Sequence, residues 1–393
     1  MQELVRASYR NHPKFHFEES PLEISDELIQ SFADVYGNAR SPITDEGFSE
    51  AEKTLRAIFG ELRGQASDEL LLDFLLELEQ EAHQLMSADL PFRTKLTPAT
   101  SSITERGADL STKNHFFGSI SKSAVEEILS IGASSLSKFR ENAKQGLLKR
   151  SDLSVDSGPV VAKIAKVIDR EFRQQGIFEE VSRFVGIEYR FTGMSLELSY
   201  EGSTWWKDAI GNERPPKTMY AHLDESVFAP KSIVYLSDVT SENGPTTLFP
   251  SAYQEMGNNP LQDIIGRVVG RVGNRDGSRL AELYRKSYHQ SAGSPDFRRH
   301  FMMLPESMRF NSHLGWEVLP GSELESSLAE REIEMLGPAG TFIVFDGSNL
   351  LHRGGLIEKD ERVVLQVVFY PGSRWGHRMK IASKLFRNLV AKR

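Results

Sequence analysis

The sequence contains no cysteine, and this absence excludes several kinds of chemistry. Disulfide bonds, zinc sites built from thiolates and thiol nucleophiles all require cysteine side chains. Any metal ion that this chain binds would therefore be held by histidine imidazoles and carboxylates.

Long apolar runs and excess positive charge are also lacking. No stretch approaches the roughly 18 consecutive apolar residues of a membrane-spanning helix, and residues 1–17 lack the continuous apolar segment of a signal peptide. The chain has 47 basic and 55 acidic residues, with a net charge of −8. We expect a cytoplasmic protein that does not span a membrane and does not bind nucleic acid, because an acidic surface repels phosphates.

The 393 residues predict an α+β protein whose periodicity changes along the chain. Residues 1–183 show helical spacing and capping signals, with a loop or extended connection predicted from Pro91 to Asn114. Residues 184–375 predict a β domain with a partly helical insert at about 254–338. Residues 376–393 predict a basic amphipathic helix, which either packs on its own domain or touches a membrane surface or a partner.

A histidine and an aspartate stand two residues apart in one of the predicted strands. The predicted strands are Ile187–Thr192, Met194–Tyr200, Thr218–Phe228, Ser232–Val239, Thr341–Phe345 and Val363–Tyr370. Side chains alternate along a strand, so the imidazole of His222 and the carboxylate of Asp224 would share one face and could share one metal ion. The pair alone is a weak signal, because a chain with this composition contains a His-x-Asp by chance with a probability of about one half.

A second histidine strengthens this prediction. His352 follows a predicted strand and a turn-forming Asp-Gly-Ser, and Gly354 and Gly355 come after it. Two histidines and one carboxylate from separate strands make a facial triad, which leaves positions open on iron(II) for a cosubstrate and dioxygen. The remaining histidines lie in helical, loop or insert contexts without such a carboxylate.

Arg362 stands ten residues after His352, where the last predicted strand begins. An antiparallel return of the chain could bring its guanidinium beside the metal site, where it could bind a carboxylate through two hydrogen bonds. The alternative is a strand arginine paired with Glu358 or Asp360. The residues alone leave both interpretations open.

Three segments occur in a characteristic order along the chain. They are His222-Leu223-Asp224; Tyr235-Leu236-Ser237-Asp238-Val239 leading into Glu242-Asn243-Gly244-Pro245-Thr246-Thr247-Leu248-Phe249-Pro250-Ser251; and His352-Arg353-Gly354-Gly355 with Arg362. In this order they resemble the phytanoyl-CoA dioxygenase family of iron(II)- and 2-oxoglutarate-dependent oxygenases. The resemblance covers about residues 186–374. It implies a double-stranded β-helix, which is a jelly-roll or cupin-like fold, with Fe²⁺ bound by His222, Asp224 and His352.

The resemblance also implies a reaction and its cosubstrates, 2-oxoglutarate and O₂. Arg362 would bind the distal carboxylate of 2-oxoglutarate, and an unactivated carbon of a small-molecule or carrier-linked metabolite would be hydroxylated with release of succinate and CO₂. Many members carry a small hydroxyl residue two positions after the second histidine, where this chain has Gly354. The candidates to replace that contact are Tyr220, Tyr235, Ser237 and Thr247.

Two other functions fit part of the pattern. A cupin-type metal enzyme, either an isomerase or a dioxygenase without a cosubstrate, would use similar ligands on the same scaffold. A jelly-roll protein could also bind a metal ion without catalysis. Formation of succinate would separate the oxygenase from both.

Two further regions are candidates for substrate binding. Trp205 and Trp206 stand in a polar loop, where one indole either lines the substrate opening or anchors the loop. Between Ile265 and His300, eight basic residues, among them Arg298 and Arg299, stand against three acidic ones. This local reversal of charge either attracts an anionic substrate or belongs to solvated helix faces.

Overall fold

A computed structural model describes residues 1–11, 22–97, 104–201, 221–271, 295–309, 318, 321–355 and 357–372. The helices in these ranges are α1 (Gln2–Asn11), α2 (Asp26–Tyr36), α3 (Asp45–Gly64), α4 (Glu69–Arg93), α5 (Glu105–Lys113), α6 (Lys122–Lys144), α7 (Gly158–Gln174), α8 (Ile177–Val185), α9 (Pro260–Arg271), α10 (Pro295–Met302) and α11 (Glu323–Ala329). The strands are β1 (His115–Ser119), β2 (Ser154–Val155), β3 (Tyr189–Tyr200), β4 (Lys231–Tyr235), β5 (Thr247–Phe249), β6 (Ile333–Glu334), β7 (Thr341–Phe345), β8 (Leu351–Arg353) and β9 (Glu361–Pro371). None of the described helices combines the length and apolar character needed to cross a bilayer.

Side-chain caps fix the starts of the first long helices. Ser25, Thr44 and Asp68 each accept a hydrogen bond from a backbone N–H in the first turn of α2, α3 and α4. These bonds satisfy donors that the start of a helix leaves without an intrahelical partner. The three helices share one apolar core with α9. The helix α9, which lies in the predicted insert, therefore packs against the N-terminal helices.

The strands form two antiparallel sheets. Their order is β1-β7-β4-β9-β3-β2 in the large sheet and β6-β5-β8 in the small one. From β3 onward the chain alternates between the sheets, except that β5 and β6 follow one another in the small sheet, and His222 joins the small sheet through a bridge to His352. This alternation is that of a double-stranded β-helix, so the predicted α+β fold with a jelly-roll core is confirmed.

Both edges of the large sheet come from the region where the sequence predicts helices. β1 pairs with β7 at one edge, and β2 pairs with β3 at the other. β1 has five residues and β2 only two, so alternation of side chains has too few positions to be recognised in the sequence. The N-terminal region therefore contributes strands as well as helices.

β3 is a single strand where the sequence predicts two. The predicted break falls at Gly193, through which the strand continues in register with β9. A Cβ on Gly193 would lie 2.6 Å from Cε2 of Tyr370. The glycine therefore makes room for an aromatic ring from the neighbouring strand and does not turn the chain.

The helices α6, α7 and α8 cover the outer face of the large sheet. Phe172 of α7 is fully buried, with its ring centroid 5.2 Å from that of Phe342 and 5.7 Å from that of Phe369. Leu365 of β9 belongs to the same apolar layer. Its neighbour Val364 points the other way, into a separate cluster between the two sheets.

Phe172→Ala should lower the free energy of unfolding by about 3 to 5 kcal/mol, because it leaves a cavity between α7 and the sheet. Chemical denaturation followed by circular dichroism measures this. Leu147→Ala is the control, since Leu147 is 46% exposed, and it should change stability by no more than about 0.5 kcal/mol. Equal effects of the two substitutions would contradict the packing described for α7.

Candidate metal centre

The segment 221–230 carries two of the predicted ligands, but it is mostly irregular. The N–H of His222 donates to the carbonyl of His352 (2.9 Å), and the N–H of His352 donates back to the carbonyl of His222 (3.0 Å). The Asp224 N–H donates instead to the carbonyl of Gly347 at 2.7 Å. Within the described part of the predicted strand Thr218–Phe228, only His222 forms a β-bridge. After Asp224 the chain turns towards β4, which belongs to the other sheet.

The three predicted ligands lie together. His222, Asp224 and His352 each offer one ligand atom, and these atoms lie within 4.8 Å of one another. The imidazole centroids of His222 and His352 are 4.4 Å apart. The side chain of Leu223, between the first two ligands, points away into the apolar core of the N-terminal helices. Alternation along the chain therefore holds at this position even without a strand.

The two carboxylate oxygens of Asp224 have different surroundings. Oδ1 accepts a hydrogen bond from Nζ of Lys231 at 2.5 Å and lies 3.8 Å from Nε2 of His352. Oδ2 is buried and has no hydrogen-bond partner among the described residues. A buried acceptor without a partner is unfavourable. A metal ion between this oxygen and the two imidazoles would satisfy it, so the residues present fit a bound metal.

Electrostatics keep these side chains in the forms that bind a metal ion. Burial raises the pKa of the Asp224 carboxyl, but interactions with Lys231, His352 and His222 outweigh it and lower the pKa to about 2. Burial, together with His222, lowers the pKa of His352 to about 3. At neutral pH the carboxylate is ionised and the His352 imidazole is neutral, as coordination requires.

The ring of His352 is fixed by two contacts. Its Nδ1 lies 2.9 Å from the carbonyl of Leu350, so Nδ1 carries the proton and Nε2 presents its lone pair on the side of Asp224. The Phe345 ring meets the imidazole edge-on, with centroids 4.9 Å apart. A carbonyl acceptor of this kind fixes the tautomer and orientation of a metal-binding histidine.

Gly347 leaves the space that the ligands occupy. A Cβ at this position would lie 1.9 Å from Oδ2 of Asp224 and 3.1 Å from Cε1 of His352. Neither atom could stay in place beside a larger residue. The glycine therefore lets the backbone approach the carboxylate closely, and its carbonyl accepts the Asp224 N–H.

Arg362 is buried, at 5% exposure, directly opposite Ser199 in the β3–β9 pair. Its Nη1 donates to the carbonyl of Gly244, and its Nη2 lies 3.4 Å from Oγ of Ser199. Its Nε has no hydrogen-bond partner among the described residues. The ion pairs found in the described ranges do not include Arg362, so the alternative pairing with Glu358 or Asp360 is not observed.

A second glycine, Gly355, allows the Arg362 guanidinium to lie close to the backbone that follows β8, the strand of His352. Gly355 follows His352 by three positions. A Cβ on Gly355 would lie 1.6 Å from the carbonyl oxygen of Gly244 and 2.6 Å from Nη1 of Arg362. The guanidinium therefore lies against the backbone that leaves β8, although β8 and β9 belong to different sheets and do not pair with one another.

Three of the predicted cosubstrate contacts are hydroxyls that bond to backbone groups. Tyr235 Oη donates to the carbonyl of Met335 (2.8 Å) and accepts from the N–H of Thr246 (2.9 Å). Ser237 Oγ accepts from the N–H of Val363 (3.1 Å), and Thr247 Oγ1 donates to the carbonyl of Pro245 (3.4 Å). Tyr235 also interacts with Arg362: burial lowers the pKa of the guanidinium, and the nearby phenol partly restores it.

The remaining predicted site residues fall largely outside the described residues. Tyr220, Trp205 and Trp206 lie outside them, as does the side chain of Arg298 and the whole basic tail 376–393. Arg299, in α10, is exposed. The exposure of Arg299 is compatible with a surface that meets an anion and equally with a solvated helix.

One member of the basic insert has another role. Arg267 is buried, its Nη2 donates to Oδ2 of Asp89 at 2.8 Å, and its Nε donates to the carbonyl of Glu225 at 2.9 Å. The prediction that this arginine helps to attract a substrate is therefore wrong, because its charge is neutralised inside the helical core.

Several residues of the site were not predicted from the sequence. Lys231 stands one position before a predicted strand, and Ser199 lies inside one. Extending the two-residue period backwards from Tyr235 through Ile233 would have placed Lys231 on the inner face. No local pattern reveals that Gly347 faces Asp224, because the contact joins distant parts of the chain.

Comparison with known proteins gives low similarity. No family model matches the sequence, and no curated protein matches it. Among solved structures, it is similar to the non-heme alpha ketoglutarate dependent epimerase SnoN from nogalamycin biosynthesis, with 13% identity over 68% of this chain and 81% of the other and a TM-score of 0.31. It is also similar to EctD from S. alaskensis with bound Fe, with 15% identity, coverages of 70% and 81% and a TM-score of 0.36.

A further similar structure is HygX from Streptomyces hygroscopicus with nickel and 2-oxoglutarate bound. The identity is 11%, the coverage is 69% of this chain and 88% of the other, and the TM-score is 0.36. These structures are of the kind that the sequence resemblance predicts. Because the TM-scores are low, the fold assignment rests on the strand order and the pairing of His222 with His352.

Gly347→Ala should weaken metal binding by at least about tenfold, because its Cβ displaces the Asp224 carboxylate. Titration of the metal-free protein with Co²⁺, followed by its visible absorption, measures the affinity. Gly60→Ala is the matched control, since a Cβ at this helical position meets nothing within 4 Å; it should leave the affinity unchanged. Unaltered Co²⁺ binding by Gly347→Ala would show that the ion does not bind at Asp224.

Proposed function

We propose that the protein is an iron(II)- and 2-oxoglutarate-dependent dioxygenase that hydroxylates an unactivated carbon of a small-molecule or carrier-linked metabolite. The observation that carries the proposal is the convergence of His222, Asp224 and His352 in one cluster on a double-stranded β-helix, with Asp224 and His352 buried and His222 half-buried. Two imidazoles and one carboxylate are the ligand set of non-haem iron(II) oxygenases. Three protein ligands leave coordination positions for small molecules.

Bound Fe²⁺ and 2-oxoglutarate would supply the oxidation itself. In the overall reaction one oxygen atom of O₂ enters the substrate C–H bond as a hydroxyl, and the other enters succinate as 2-oxoglutarate loses CO₂. The protein has to bind the keto acid, hold the ligands in place and keep water out. Each of these tasks can be assigned to residues of this chain.

Arg362 is suited to bind the distal carboxylate of 2-oxoglutarate. It is a buried guanidinium whose Nε lacks a hydrogen-bond partner and which forms no ion pair among the described residues. Burial lowers its pKa, and the nearby carboxylate of Glu197, which partly offsets this, is itself paired with Arg150. An anion would supply the missing interactions, and a carboxylate matches the planar fork of the guanidinium. Tyr235, Ser237 and Thr247 would shape this end of the pocket, since their hydroxyls are bonded mainly to backbone groups.

Lys231 is suited to orient the carboxylate ligand. Its ammonium group holds Oδ1 of Asp224, which leaves Oδ2 for the metal ion. The two oxygens are thereby made inequivalent, and coordination through a single oxygen is favoured. This preserves open positions for 2-oxoglutarate and O₂.

Apolar side chains between the two sheets limit the access of water. Ile343, Phe345 and Val364 belong to one buried cluster, and Phe345 also contacts the His352 ring. A dry interior strengthens the electrostatic interactions of Asp224 and Arg362 and reduces unproductive reaction with water.

The proposed substrate is a small molecule, and the basic insert favours an anionic one. Of the eight basic residues between Ile265 and His300, Arg299 is exposed and Arg267 is excluded by its burial. The alternative functions are a cupin-type isomerase, a cosubstrate-free dioxygenase and a non-catalytic metal protein. None of them requires a buried arginine that binds a cosubstrate carboxylate. Consumption of 2-oxoglutarate therefore discriminates between these functions and the oxygenase.

Succinate formation from 2-oxoglutarate, with Fe²⁺ and O₂ present, tests the proposal. The wild-type protein should convert the keto acid, slowly without substrate and faster with it, and His222→Ala or His352→Ala should abolish the conversion, because each removes a ligand. His83→Ala is the control, since His83 pairs with Glu52 in the helical region and should leave the rate unchanged. Succinate formation that survives both ligand substitutions would contradict the assignment.

Arg362→Ala should raise the Kd of 2-oxoglutarate by at least roughly thirtyfold, because loss of one partner of a buried charge pair costs about 2 to 5 kcal/mol. Calorimetric titration of the Mn²⁺-loaded protein with 2-oxoglutarate measures this. Arg140→Ala is the matched control: Arg140 binds Glu361, the neighbour of Arg362, at the exposed side of the same strand. If the two variants bind 2-oxoglutarate equally well, Arg362 does not hold the cosubstrate.

A further inference from the structure

We propose that Arg40, in the connection between α2 and α3, is a positioning residue for the metal centre. It joins the irregular segment that carries Asp224 to the turn that precedes His352, and so sets the distance between the ligands. The inference rests on the proposed function, because it requires that these residues bind a metal ion. It assigns a role to the N-terminal helical region, which supplies no metal ligand itself.

One side of the contact is the segment that follows Asp224. The Nε of Arg40 donates to the carbonyl of Val227 at 3.2 Å. Val227 lies three positions after Asp224, in a stretch without regular strand pairing. A buried carbonyl in such a stretch needs a donor from elsewhere. Arg40 supplies it and fixes the course of the chain just beyond the ligand.

The other side of the contact is the turn before His352. The Nη2 of Arg40 forms an ion pair with Oδ2 of Asp346, whose side chain is 2% exposed, and lies 3.3 Å from Oγ of Ser348. The side chain of Arg40 is itself only 17% exposed. An ion pair with this degree of burial is screened little by solvent, so it holds its geometry better than a surface pair.

The turn that Arg40 holds is connected to both ligands. The carbonyl of Gly347 accepts the Asp224 N–H at 2.7 Å. The carbonyl of Asp346 accepts the Leu350 N–H at 3.0 Å, and the carbonyl of Leu350 lies 2.9 Å from Nδ1 of His352. A displacement of Asp346 would therefore move the backbone partner of Asp224 and the group that orients the His352 ring.

The geometry requires an arginine at this position. The guanidinium reaches the Val227 carbonyl through one nitrogen and Asp346 through another, and its plane lies over the ring of Phe184 with Cζ 4.6 Å from the centroid. A lysine ammonium is a single point of charge without a planar fork. Lysine would retain the attraction to Asp346 but would lose the bridge to the first ligand segment.

Metal affinity in Arg40 variants tests the inference with a readout that is separate from turnover. Arg40→Ala should weaken Co²⁺ binding by about 10- to 100-fold, the usual effect of removing a partner that orients metal ligands. Arg40→Lys should give an affinity between those of Arg40→Ala and the wild type, and it covers the case in which the alanine variant does not fold. The visible spectrum of bound Co²⁺ should also change in both, because the ligand geometry changes.

Arg63→Ala is the matched control. Arg63 belongs to the same helical region and forms a partly buried ion pair with Glu79, with side-chain exposures of 26% and 14%. Among the described residues it makes no hydrogen bond or ion pair with the ligand segments. Arg63→Ala should leave the Co²⁺ affinity within about twofold of wild type, even if it lowers the melting temperature.

Two outcomes would overturn the inference, and they are distinguishable. If the wild type binds Co²⁺ through His222 and His352 while both Arg40 variants keep its affinity and spectrum, Arg40 has no positioning role. If the wild type does not bind Co²⁺, or binds it equally well after His222→Ala, the metal centre itself is wrong and the role of Arg40 is lost with it.

Discussion

Residues 221–230 are mostly buried, yet their backbone pairs with strands only at His222, with His352, and at Pro230, whose carbonyl accepts the Phe369 N–H. The organisation of the metal centre depends on this constraint. Buried carbonyls need donors, and where a sheet does not provide them side chains must. Three side chains donate to carbonyls of this segment. Tyr189 donates to the carbonyl of Phe228, Arg40 to that of Val227, and Arg267 to that of Glu225. They come from β3, from the α2–α3 connection and from α9. The position of Asp224 is therefore set by elements far apart in sequence, including the N-terminal helices.

Positive charge inside the protein is the second organising feature. Lys231 neutralises one oxygen of Asp224, while Arg362 is buried and forms no ion pair among the described residues, since the nearby Glu197 is paired with Arg150. Burying a cation without an anion is unfavourable, so the site is poised to accept negatively charged groups. A ligand with two carboxylates could place one near the metal ion and the other at Arg362. This complementarity favours 2-oxoglutarate over a neutral cosubstrate.

The ligand residues were predictable from sequence because strand periodicity and turn residues are local signals. The sequence predicts that His222, Asp224 and His352 converge, and the structure brings these three residues together. Arg362 lies against Gly355, on a strand of the other sheet from His352. The sequence predicts a strand around His222, whereas the structure has a single β-bridge there. Local periodicity could not show this, because the partner residue His352 lies 130 positions later. The loop predicted from Pro91 to Asn114 is also wrong at both ends. α4 continues to Arg93, since a proline in the last turn removes only one intrahelical bond, and Glu105–Lys113 form the helix α5.

The most direct test of the account is a crystal structure of the protein with Mn²⁺ and 2-oxoglutarate, with anomalous scattering used to locate the metal ion. The account predicts one anomalous peak bonded to His222, Asp224 and His352, with the distal carboxylate of 2-oxoglutarate at Arg362. A peak bonded to other residues, or an Asp224 carboxylate held by Lys231 with no metal ion beside it under saturating Mn²⁺, would contradict it.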